Sequence, residues 1–126
     1  MNGLTLDTGA LVAIERRDRR AAALIASAKL AGARITVPSA VVVERWRGQR
    51  GPIARLLDAF DVEPLDRALA EVAGRALALA PAGPSAVDAV VIASAARRGD
   101  VVLTSDVADL ESLRVRVFPA VRILRV

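Results

Sequence analysis

The sequence predicts an α/β fold, a three-layer α/β/α sandwich around a mostly parallel central sheet. Two observations predict it. Short apolar runs such as Leu4-Thr5-Leu6 and Val101-Val102-Leu103-Thr104 recur along the chain. Between them lie longer segments with helical periodicity, the alternation that joins parallel strands through crossover helices. The overall balance agrees. Hydrophobic residues make up 54% of 126 and the mean hydropathy is +0.41, which argues for a sizeable core and against disorder. No repeat, low-complexity tract or long linker interrupts the chain, so residues 1–126 read as a single domain.

Taken in order, residues 4–7 read as a short buried strand and residues 8–15 as a turn and short helix. Residues 21–30 are alanine-rich and helical, stopped by Gly32. Residues 34–37 read as a second strand ended by Pro38, after which Ser39 can cap the helix that carries Glu44 and Trp46. Gly48 and Gly51-Pro52 break the chain before a helix over 53–60, and residues 61–63 are extended. The next helix has the cleanest period: Leu69, Val72, Ala73, Ala76, Leu77 and Ala80 share one face, Asp66 is its N-cap, and Pro81 and Pro84 bracket its end. Ser85 starts a helix that runs through Asp88 to Arg98 and stops at Gly99. That helix is apolar nearly all round and should be central. A buried strand over 101–104, a short helix over 107–113 and a final strand over 121–124 complete the chain.

A net charge of +4 and a pI near 11.1 point to an anionic partner. Of 18 basic residues only Lys29 is not arginine. The planar guanidinium suits phosphate, and a coding bias of a high-GC genome would give the same ratio. The chain has no Cys and no His. That excludes disulfides, zinc sites built on thiolate or imidazole, and Ser-His-Asp or Cys-His nucleophilic schemes. Oxygen ligands remain, and these suit Mg²⁺ or Mn²⁺. The first residues lack a basic leader pattern and no apolar run approaches the roughly 18 residues of a membrane span, so a cytoplasmic location is expected.

Four acids interrupt the most apolar stretches. Asp7 ends Leu4-Thr5-Leu6, Glu44 follows Val41-Val42-Val43, Asp88 lies in Ala86-Val87-Asp88-Ala89-Val90, and Asp106 closes Val101-Val102-Leu103-Thr104-Ser105. A carboxylate isolated in such surroundings would cost several kcal/mol or take up a proton. Each has a local explanation: Asp7 as a turn cap, Asp88 as partner of Ser85 in a capping box, Asp106 as an N-cap with Asp109 in the first turn behind it. Glu44 is too deep in its helix to cap it, and Arg45 and Arg47 are poorly placed to pair with it along that helix. A shared cation explains all four together. Asp7 and Asp106 also fall at the carboxyl ends of strands, where parallel sheets bind ligands. Glu15 and Asp18 read as a solvated charged turn, and Asp58, Asp61, Glu63, Asp66, Glu71, Asp100 and Glu111 as solvated or capping.

These segments in this order resemble the PIN-domain ribonucleases: Leu6-Asp7-Thr8-Gly9-Ala10-Leu11, then Val43-Glu44, then Val87-Asp88-Ala89, then Leu103-Thr104-Ser105-Asp106 with Asp109-Leu110 behind. The chain looks most like the VapC toxins of bacterial toxin–antitoxin pairs. The resemblance implies an endoribonuclease that uses Mg²⁺ or Mn²⁺, with Asp7, Glu44, Asp88 and Asp106 as the metal-binding, catalytic acids. Thr104 and Asp109 would support them from behind. It also implies an RNA substrate, a cognate VapB-like antitoxin, and a homodimer that forms a heterotetramer or larger assembly with it. Arg16, Arg17, Arg19, Arg20, Arg45, Arg47 and Arg50 are candidates to hold flanking phosphates. With one Trp, two Phe and no Tyr, base stacking is scarce, and recognition should rest on RNA shape and backbone. A haloacid-dehalogenase-like phosphatase would need an Asp where Gly9 stands, and a receiver domain would need a late Lys. The alternative that survives is a catalytically silent PIN-like module that binds RNA or protein.

Overall fold

The computed structural model describes residues 2–46 and 52–126. Strands β1 (Leu4–Leu6), β2 (Ile35–Pro38), β3 (Asp61–Glu63), β4 (Val101–Thr104) and β5 (Arg122–Arg125) form one sheet in the order β3-β2-β1-β4-β5. Every neighbouring pair is parallel, so the sheet is wholly rather than mostly parallel among the described residues. The helices are α1 (Thr8–Glu15), α2 (Arg19–Leu30), α3 (Ser39–Trp46), α4 (Pro52–Asp58), α5 (Arg67–Leu79), α6 (Ala86–Arg98) and α7 (Ala108–Val117). The helices form two groups, α1 with α2 and α4 on one side of the sheet and α5, α6 and α7 on the other, with α3 touching both α1 and α6. This is the expected three-layer sandwich.

Strands β1 and β4 are apolar runs because helices cover both of their faces. Leu6, Leu11, Ile92, Leu103, Leu110 and Leu113 are fully buried in the core. Each such side chain contributes about 1.5–3 kcal/mol relative to exposure. Helix α6 is buried from Ala89 through Ala95 on every side, which is why its sequence lacks a polar stripe. Helix α5 buries Leu69, Ala73 and Ala76, as its period requires.

The end signals mostly act as their chemistry dictates. Asp66 accepts from the Leu69 N–H at 2.8 Å. Gly99 closes α6 at φ 72°, a conformation glycine adopts without strain. Pro52 opens α4, where its missing N–H leaves no bond unmade. Gly48 and Gly51 lie outside the described residues.

Some ends differ from the sequence reading. Ser39 is the first residue of α3, and its hydroxyl donates to the Glu63 carbonyl at 2.6 Å, tying α3 to β3 instead of capping it. Helix α4 stops at Asp58, short of residue 60, and α7 runs on to Val117, past residue 113. Val117, in that last turn, packs partly buried against the core.

The strand order gives the fold its functional place. From β1 the chain builds outward to β2 and β3, then returns across the sheet to add β4 and β5 on the other side. The order therefore reverses between β1 and β4, and crossovers depart to opposite faces there, opening a crevice at the carboxyl ends of those two strands. Among the described residues no helix is long and apolar enough to cross a membrane.

Candidate active site

The crevice between the carboxyl ends of β1 and β4 is a hollow of about 180 Å³ lined by Asp7, Thr8, Gly9, Glu44, Val87, Asp88, Ser105, Asp106 and Asp109. All four acids singled out from the sequence face it, and Asp109 joins them. Each comes from a different part of the chain. Asp7 follows β1, Asp106 follows β4 by one residue, Asp88 sits in the first turn of α6, and Asp109 in the first turn of α7. Glu44 arrives on α3, which touches α1 on one side and α6 on the other.

Local bonds orient these side chains. Asp7 is the N-cap of α1 and its Oδ1 accepts from the Ala10 N–H at 2.8 Å. Asp88 completes a capping box with Ser85: its Oδ2 accepts from the Ser85 N–H at 2.9 Å, and its own N–H donates to Ser85 Oγ at 3.1 Å. The cap and the cleft are compatible, since the box leaves Oδ1 free of it. The Thr8 hydroxyl donates to Glu44 Oε1, linking α1 to α3 across the cleft. Thr8 entered the sequence reading as part of a turn and of the Leu6-to-Leu11 segment, without a role of its own. Its place directly after Asp7, on the same helix end, was the available signal.

Asp106 is not an N-cap. Val107 holds that position without a side-chain bond, and Asp106 reaches the Ala108 N–H only at 3.4 Å. Its carboxylate is exposed and available to the cleft. Thr104 is fully buried beneath it; Thr104 Oγ1 accepts from the Asp106 N–H at 3.0 Å and lies 2.9 Å from the Asp106 carbonyl. The same hydroxyl borders Asp7. It has one proton, which rotation directs either to the carbonyl or to Asp7.

The electrostatics are those of crowded like charges. Burial raises the Asp7 carboxyl from 3.8 to about 6. The Thr104 hydroxyl and the Ala10 N–H oppose that rise, and the charges of Asp88 and Glu44 add to it. Among the described residues no Lys or Arg lines the hollow. The all-oxygen donor set fits a hard divalent cation such as Mg²⁺ or Mn²⁺. Among the described residues no three acids stand close enough to form a closed coordination group, so the cleft offers suitable donors without a finished shell.

Four other acids depart from the sequence reading. Glu15 is not solvated: it pairs with Arg45 of α3, at 3.0 Å from Arg45 Nε to Glu15 Oε1, so Arg45 finds across helices the partner it lacks along its own. Asp100 is buried and accepts from Thr5 Oγ1 at 2.8 Å and Arg98 Nε at 2.9 Å. Glu63 is half-buried and is held by Ser94, Arg97 and Arg98. Asp18, too, works as the N-cap of α2. The valine run before Glu44 is only partly buried, with Val43 75% exposed.

Residues 4–113 match the PIN domain family. No curated protein sequence matches the chain. Among solved structures, a chain of DNA-bound VapBC from Salmonella typhimurium is similar with a TM-score of 0.73 at 21% identity, covering 99% of this chain and 98% of that one. A chain of promoter-DNA-bound VapBC2 from Rickettsia felis gives 0.73 at 13% identity, with 100% and 99% covered. A chain of FitAcB from Neisseria gonorrhoeae gives 0.70 at 18% identity, with 97% and 96% covered. The fold, with the acidic crevice at its switch point, and the match along nearly all its length place the chain in the PIN domain family.

Proposed function

We propose that this chain is a metal-dependent endoribonuclease, the toxin of a toxin–antitoxin pair, in which residues 1–126 work as one nuclease domain in the cytoplasm. The observation that carries the reading is the cleft: four carboxylates from four separate segments, with Asp109 beside them, face one hollow that no basic side chain lines among the described residues. Membership of the PIN family supports nuclease chemistry. The likeness in fold to VapBC and FitAcB chains supports the toxin branch, and with it a VapB-like antitoxin and a toxin homodimer that assembles into a heterotetramer or larger.

In this reading Asp7, Glu44, Asp88 and Asp106 hold Mg²⁺ or Mn²⁺. The bound ion supplies a lowered water pKa and charge neutralisation at the scissile phosphate. The protein's own part is orientation. The Ala10 N–H fixes Asp7 Oδ1, the Ser85 N–H fixes Asp88 Oδ2, and the Thr8 hydroxyl fixes Glu44 Oε1. Thr104 holds the turn that presents Asp106. A carboxylate of the set that is not a direct ligand accepts the proton of the attacking water. The few aromatic side chains offer little stacking surface, so the RNA is held by backbone and shape.

The incomplete coordination group favours one alternative, a PIN-like module that binds RNA or protein without cutting. Incubation with RNA in Mg²⁺ or Mn²⁺, and in EDTA, separates the two. Cleavage only with metal is expected. Asp7→Asn and Asp88→Asn should each reduce the rate at least about 100-fold, the scale of losing one electrostatic stabiliser of the transition state, while the fold is retained. RNA left intact in every condition would favour the silent module.

A further inference from the structure

A second hollow adjoins the acidic one. It measures about 250 Å³, shares Gly9 and Ser105 with the cleft, and has Arg16 and Asp18 on its far wall. We propose that the RNA strand leaves the cleft across Gly9 and Ser105, and that Arg16 binds a phosphate flanking the scissile one. The inference rests on the nuclease reading and deepens it by naming a substrate-binding residue.

The passage between the hollows depends on the absence of a side chain. A Cβ at Gly9 would stand 2.1 Å from Ser105 Oγ, so any other residue there would push against the Ser105 side chain. Gly9 thus keeps the divide low, and Ser105 is exposed on top of it. Beyond the divide the lining holds one basic side chain, Arg16, and one acidic side chain, Asp18. Asp18 is committed to capping α2 through the Ala21 N–H at 2.9 Å, where the positive helix end offsets its charge. Arg16 is exposed, and its side chain makes no hydrogen bond or ion pair among the described residues.

The other arginines near the cleft are less suited. Arg45 is taken by Glu15, and Arg20 Nε donates to the Arg125 carbonyl at 2.7 Å. Arg17 and Arg19 line neither hollow. Arg47 and Arg50 lie outside the described residues. A polyanion entering a cleft walled by carboxylates is repelled wherever no cation meets it. Of the described candidates, Arg16 alone stands where the next phosphate would pass, and its fork of donors matches phosphate oxygens.

The test uses the full chain with Asp88→Asn to suppress cutting, and a fluorescently labelled oligouridylate as probe. Affinity is measured across a salt series for this protein and for the same protein carrying Arg16→Ala, Arg16→Lys, Arg17→Ala or Arg19→Ala. Arg16→Ala should lower the slope of log K against log salt by about 0.7, one phosphate contact on a single strand, which is about five-fold in affinity at 0.1 M salt. Arg16→Lys should keep the slope. Arg17→Ala and Arg19→Ala should change it less. A slope unaffected by Arg16→Ala, an equal loss in all three alanine variants, or no binding of the oligonucleotide at all would overturn the proposal. Cleavage by the wild type is measured separately with and without EDTA. A protein that cuts RNA but is indifferent to Arg16 loses the strand path and keeps the nuclease reading.

Discussion

Asp7 and Glu63 both stand at carboxyl ends of strands in one parallel sheet, yet their surroundings are opposite. Burial pushes the Glu63 carboxyl up, but the Ser94 hydroxyl at 2.6 Å and the guanidinium groups of Arg97 and Arg98 outweigh it and leave it below the usual range. Arg98 also binds Asp100 and Thr5, so the whole cluster is neutralised inside the protein. Asp7 meets burial with no arginine, and two further carboxylates raise it more. Acids that serve the fold are given cations by the chain itself. The cleft acids find none among the described residues, and in the proposed reading the charge they lack comes from outside.

Breaking the neutralised cluster should have the largest effect. Arg98→Ala would take from the buried Asp100 its only guanidinium among the described residues and leave Glu63 to Ser94 and Arg97, and should lower the unfolding free energy by about 3–5 kcal/mol. Urea unfolding checks this. A loss below about 1 kcal/mol would mean that the cluster is solvated and that the contrast with the cleft is one of degree.

The cleft should respond to pH in the other direction. An acid whose folded pKa is raised keeps its proton longer in the native state, so the native state gains stability at low pH and loses it as pH rises through the folded value. For Asp7 the window runs from about pH 4 to about pH 6, and the destabilisation above it is at most about 3 kcal/mol. Asp7→Asn should therefore melt above the wild type in EDTA at pH 8, with the advantage shrinking as pH falls toward 4. A constant difference across that range would remove Asp7 from the strained set.

A smaller comparison lies inside the sheet. Thr5 and Thr36 are register partners on β1 and β2. The Thr5 hydroxyl is engaged by Asp100 and Arg98, whereas Thr36 Oγ1 is buried with no partner among the described residues. Thr36→Val should stabilise by up to about 1 kcal/mol and Thr5→Val should destabilise by about as much or more. Equal losses in the two variants would show that Thr36 has a partner after all.

The sequence carried the fold because its signals are local. The apolar runs of β1 and β4, the period of α5, the Ser85–Asp88 box and the Gly99 stop each act within a few residues. It also carried the convergence of the acids, since a carboxylate in an apolar run is anomalous wherever it lies. What it could not carry were partners distant in sequence. Glu63, Asp100 and Glu15 look like solvated surface acids until Arg98 and Arg45 are brought to them across the fold. Ser39 and Asp106 looked like caps because their residue types favour caps. In the fold Ser39 bonds across to β3, and Thr104 holds the Asp106 backbone.

In the proposed reading the cleft acids, which no described Lys or Arg meets, bind a divalent cation. Thermal unfolding of the wild type and of Asp88→Asn, titrated with Mn²⁺ from an EDTA-stripped start, tests it most directly. A ligand bound only by the native state adds about 2.7 kcal/mol at 100 times its dissociation constant. The wild-type midpoint should rise with Mn²⁺, and the rise should be lost or much reduced in Asp88→Asn. A wild-type midpoint that stays flat at saturating Mn²⁺, or an equal rise in the variant, would contradict it.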